Sequence, residues 1–193
     1  MEKIQAWAQP WWVNLLLFIP VIAYFAFRRK GTPLHWPQLT ILALFSAAFG
    51  FVEAAVVVYL RAAIGLLPGY MGSLAQLQQS SVGYQQATSP AQFPQSLLAI
   101  EMCREAATMV MLVCVALLAA TRVRARWAAF LWVFALWDMA YYAGLWATVR
   151  WPASLKDLDV LFLLPVPWIA QVWFPLLVSG LTVLAMLVST TNK

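Results

Sequence analysis

Charge is scarce in this chain. Only 10% of its 193 residues are Asp, Glu, Lys or Arg, 64% are hydrophobic, and the mean hydropathy is +0.79. A soluble domain carries about 25% charged residues. The deficit, spread over several long apolar runs, excludes an ordinary water-soluble globule and predicts a single-domain, all-α, polytopic integral membrane protein. Histidine is nearly absent, His35 being the single one. Its place in an inner loop argues against haem on a histidine, the usual zinc ligand sets and carboxylate–histidine di-iron sites. No nucleophile elbow, phosphate-binding loop, dinucleotide fingerprint or zinc-protease helix occurs. Cys103 and Cys114 stand eleven residues apart on one expected helix, ~16 Å along its axis, too far to form a disulfide with each other. No cleavable signal peptide and no internal repeat is evident.

What is present is five apolar runs, at about 11–27, 39–61, 97–120, 127–147 and 167–187. Each is long enough to cross ~30 Å of hydrocarbon as a helix, the first only just. Six of the twelve basic residues form two short clusters, Arg28-Arg29-Lys30 and Arg122/Arg124/Arg126, each abutting an apolar run. These read as topology signals rather than as a nucleic-acid surface, and place the loops 28–38 and 121–126 inside. The segment from Ala62 to Ile100 has no charged side chain and belongs outside. The expected arrangement is a five-helix transmembrane bundle with the N-terminus out and the C-terminus in, in a membrane of the bacterial cytoplasmic kind. Trp7, Trp11, Trp12, Trp146, Trp151, Trp168 and Trp173 mark the outer interface, Trp36 and Trp127 the inner one. Trp132 and Trp137 lie deeper and read as packing residues.

Two outer segments stand apart. The loop 62–96 is long, Gln-rich and uncharged; from residue 66 onward it reads as an interfacial segment or a lid over a cavity. The run LFLL in 157–166 is too short to cross and is followed by Pro165 and Pro167, so 157–166 is expected to form an interfacial or re-entrant half-helix. Pro167 then suits the first turn of the fifth span, and Pro175 should kink it.

Against this apolar background a few charges stand out. Glu53, Glu105 and Asp138 each lie eight residues inward of the outer end of a different span, ~12 Å deep. Three carboxylates from three helices therefore share one layer. Glu101 lies one turn above Glu105 on the same face, and Arg104 is on an adjoining face. Tyr141 and Tyr142 stand three and four residues above Asp138, Arg61 two turns above Glu53, and Asp157 and Asp159 precede the fifth span. Charge in hydrocarbon costs ~2.5–3.5 kcal/mol per Asp, Lys or Arg. A chain retains such groups where they face one another, a ligand or water. Three close carboxylates cannot all stay ionised; arginines offset part of the charge, and a proton or a bound cation must supply the rest.

The favoured reading is a pocket open to the outside that binds or converts a lipidic molecule (a lipid, isoprenoid or quinone-like compound) by acid–base chemistry. Glu53, Glu105 and Asp138 would handle protons, and Arg61, Glu101, Arg104, Tyr141, Tyr142 and Asp159 would hold the ligand. A non-catalytic subunit or assembly factor of a larger membrane complex, or a homo-oligomer fixed by internal pairing, is close in weight, but pairing alone leaves the excess negative charge unexplained. A proton- or cation-coupled transporter is a third reading, weakened by the apolar inner halves of the spans. Membrane lipids are the expected surroundings and nucleic acid is not an expected partner. No cofactor and no metal ligand set is assigned, although carboxylates and tyrosines suit a hard cation.

Overall fold

The computed structural model describes residues 7–63 and 95–191. The chain is mostly helical. A 3₁₀ stretch, Trp11–Leu17, leads into α1 (Phe18–Phe27); α2 (Trp36–Ala63), α3 (Gln95–Ala119) and α4 (Val123–Val149) follow, then strands β1 (Leu158–Phe162) and β2 (Trp168–Gln171), and last α5 (Trp173–Thr191). The stretches Trp36–Ala62, Leu97–Ala119 and Val123–Val149 are long and apolar enough to cross a membrane. The apolar helices Trp11–Phe27 and Trp173–Ser189 are shorter, so length alone qualifies three of the five expected spans. The stretch 66–94, where a lid was expected, lies outside the described residues.

The half-helix expected over 157–166 is a β-hairpin instead. Its strands pair antiparallel, Leu158 with Gln171, Asp159 with Ala170, Val160 with Ile169 and Phe162 with Trp168, with a bulge between Val160 and Phe162. The reason is local. Pro165 and Pro167 bar Leu164 and Val166 from helical backbone angles, and Val160, Phe162, Trp168 and Ile169 are β-branched or aromatic residues that suit a pleated surface. Gln9 adds a further rung through two backbone hydrogen bonds to Ile169, each 2.8 Å. Asn14 holds that N-terminal segment in place by accepting from the Ala8 N–H and donating to the Ala8 carbonyl. Because the hairpin uses residues up to Gln171, the last helix starts at Trp173 rather than near Pro167. Pro175 therefore falls in its first turn, where its missing N–H breaks no interior bond, and the expected mid-span position for a kink is lost.

α4 is the central helix, packed on α2, α3 and α5, while α1 packs on α5. The α2–α4 contact is the closest. Gly50 and Ala54 on α2 meet Ala140 and Gly144 on α4, so each helix presents small residues one turn apart. Further along, the Trp132 indole donates to the Leu39 carbonyl at 2.9 Å, consistent with its reading as a packing residue. The basic residues at that end also do structural work. Arg124 donates to the carbonyls of Ala26 and Gly31, and Arg126 to that of Ala120, satisfying acceptors where helices end. Large apolar side chains such as Ile41, Leu44 and Leu118 are exposed on the outside of the bundle, a surface suited to apolar surroundings.

Candidate functional site

All nine residues singled out for the site line one cavity at the hairpin end of the bundle, about 100 Å³ in volume. α2 contributes Glu53 and Arg61, α3 Glu101, Arg104 and Glu105, α4 Asp138, Tyr141 and Tyr142, and β1 Asp159. Helical spacing explains the convergence. Glu53 and Arg61 are two turns apart, Glu101 and Glu105 one turn, and Asp138, Tyr141 and Tyr142 within one turn, so each set shares a helix face.

Arg104 is the hub. Its Nη1 pairs with Glu53 Oε2 across the α2–α3 interface. Its Nε and Nη2 form a two-pronged contact with Glu101, at 3.0 and 2.6 Å. Thr108 donates to the other oxygen of Glu53 at 3.0 Å. Glu105 reaches toward the hairpin, where its Oε2 accepts the Leu163 backbone N–H at 2.7 Å. Asp138 accepts from the Ser179 hydroxyl of α5 at 2.8 Å. The Tyr142 hydroxyl reaches past Asp138 and donates to Asp159 at 2.8 Å. Asp159 is 1% exposed, buried in the wall. Asp157 does not join the cavity; its carboxylate accepts from the Ala153 and Ser154 N–H groups and closes its own turn.

Five carboxylates against two guanidiniums leave three negative charges in excess if every group is ionised (5 − 2 = 3). The partners of Glu105 and Asp138 named above are neutral donors, which orient a carboxylate without cancelling its charge. Protons or a cationic group must therefore balance the site. Among the described residues no three His, Cys, Asp or Glu side chains converge closely enough to hold a metal ion. His35 lies at the far end of the bundle, where its backbone N–H is capped by Gln38.

A second cavity, about 570 Å³ and almost wholly apolar, adjoins the first. Glu105, Phe134, Phe162, Trp168 and Ser179 line both. Beyond that shared wall it is lined by Ala106, Met109, Phe130 and Leu131, and by Ile19 of α1. The sequence reading missed Thr108, Ser179, Trp137 and the Leu163 N–H as members of the site. Signals for two of them were present: Thr108 follows Arg104 by one turn, and Ser179, with Thr182 three residues on, is a hydroxyl within an apolar run.

No protein-family model, curated protein or solved structure matches this chain.

Proposed function

We propose that this chain is a five-span integral membrane protein that takes an amphiphilic, lipid-like molecule from the outer leaflet and acts on its head by proton transfer. The head occupies the carboxylate cavity and the hydrocarbon chain lies in the apolar one. The hairpin end faces outward, with the N-terminus outside and the C-terminus inside. The carrying observation is the shared wall: Glu105 and Ser179, the partner of Asp138, stand where the polar and apolar cavities meet. A chain in the larger cavity delivers its head to those two carboxylates, and paired carboxyls in different surroundings allow one to donate and the other to accept a proton. Tyr141 and Tyr142 position the head. A transport route gains no support, since the space inward of Glu105 is walled by Met109, Phe130 and Leu131.

Two variants test this. Ala106→Phe fills the apolar cavity and is expected to strip out the molecule that co-purifies with the wild-type protein, read by native mass spectrometry. Glu105→Gln keeps an oxygen to accept the Leu163 N–H, so the fold and the bound molecule should survive. Conversion of that molecule should then fall by about 10²–10⁴-fold, the usual worth of a general acid or base. Wild-type turnover in Glu105→Gln sinks the acid–base assignment; an unchanged complement of bound lipid in Ala106→Phe sinks the site.

A further inference from the structure

Two tryptophans that line the cavities carry unpaired indole N–H groups. Trp137 is 7% exposed, and its Nε1 is buried with no hydrogen-bond partner among the described residues. The same holds for the Nε1 of Trp168. Trp137 lines the polar cavity, and Trp168 lines both and so stands at the neck between them. A buried donor left unpaired costs stability, and folded proteins rarely tolerate one without cause. This fold pairs other indoles. Trp132 donates to Leu39, and Trp173 donates to Gln171 Oε1 at 2.7 Å. The unpaired two are the ones on the cavities.

Three kinds of head can be weighed against these walls. An anionic head meets five carboxylates and is repelled. An ammonium head suits the charge but has no lone pair to accept from an indole. An uncharged oxygen accepts from the indole N–H and adds no charge to the cavity. We propose that the bound amphiphile carries an uncharged oxygen function, a hydroxyl or carbonyl, on a long hydrocarbon chain, its oxygen accepting a hydrogen bond from Trp137, with Trp168 serving a second oxygen or the same one at the neck. This rests on the amphiphile reading above and narrows it. It also gives Trp137 a binding role that its deep position in α4 did not suggest.

The test uses the whole protein in phosphatidylcholine nanodiscs and four probes of one chain length: dodecanol, dodecylamine, dodecanesulfonate and dodecane. Dodecanol is expected to bind saturably and more tightly than the other three. Trp137→Phe keeps an aromatic ring and removes the N–H, and is expected to weaken dodecanol about three- to tenfold while leaving dodecane unchanged. Trp168→Phe should act in the same direction. If dodecylamine or dodecanesulfonate binds as well as dodecanol, or if folded Trp137→Phe holds dodecanol as the wild type does, the uncharged-oxygen assignment is overturned and the amphiphile reading stands. Should none of the four bind saturably, both are overturned. The ranking of probes on the wild-type protein decides the matter even if the variant does not fold.

Discussion

Replacing Arg104 with Met is expected to destabilise the protein by about 3–5 kcal/mol, the usual cost of removing one partner from a buried charge pair. Arg104 holds two carboxylates on two helices, and their side chains are only 6% (Glu53) and 11% (Glu101) exposed. Neither can turn to water when the guanidinium goes, and the Thr108 hydroxyl on Glu53 cannot replace a charge. Arg104→Lys keeps the charge but loses the planar fork that grips Glu101 at two points, so it should fall between wild type and Arg104→Met. The double variant Glu53→Gln/Arg104→Met removes the stranded charge on α2 and should recover part of the loss, with a coupling of about 1–3 kcal/mol for groups in direct contact. Reversible unfolding in mixed micelles, followed by tryptophan fluorescence, gives the five free energies of the wild type, Glu53→Gln, Arg104→Met, Arg104→Lys and the double variant. A loss below about 1 kcal/mol for Arg104→Met would mean that Arg104, Glu53 and Glu101 are solvated like a surface ion pair and that their pairing does not hold α2 to α3.

The same physics explains which features could be read in advance. α2, α3 and α4 were legible because each is a long apolar run, and their ends fall within four residues of the expected 39–61, 97–120 and 127–147. Eight of the nine cavity residues were conspicuous as a charge or a pair of tyrosines in such a run, where helical spacing sets the face each occupies; Asp159 stands on the hairpin instead. The hairpin was not legible from hydropathy, since LFLL suits a short helix and a buried strand equally; the spacing of Pro165 and Pro167 behind two β-formers decides it. The hydroxyls of Thr108 and Ser179 escaped notice because such groups are common in membrane helices and cost little there. Trp137 reads as packing in the sequence because a sequence does not reveal whether an indole N–H finds an acceptor.

Gly50→Leu is expected to disrupt the carboxylate cavity strongly, although residue 50 does not line it. A Cβ at position 50 would lie 2.6 Å from the Trp137 carbonyl oxygen, 2.8 Å from the Ala140 Cβ and 3.0 Å from the Tyr141 nitrogen. Two of these are backbone atoms of α4, so no rotamer change relieves the clash and the helices must separate. Overpacking costs about 1–3 kcal/mol for a modest insertion and more for a branched side chain; Gly50→Ala belongs to the lower range and Gly50→Leu should exceed it. The consequence reaches the site directly. Glu53 lies less than one turn further along α2, and two of the three atoms that clash belong to Trp137 and Tyr141, both in the cavity wall. Pushing α2 away from α4 pulls Glu53 off Arg104 and opens the polar cavity on the side opposite the hairpin. Gly180 supplies the internal control, because a Cβ there meets nothing within 4 Å. Gly180→Ala should be neutral or stabilise α5 by about 0.5–1 kcal/mol, as removing a helix-interior glycine normally does. If Gly50→Ala and Gly180→Ala have equal effects on unfolding and on retention of the co-purifying molecule, the close α2–α4 contact does not set the geometry of the carboxylate cavity.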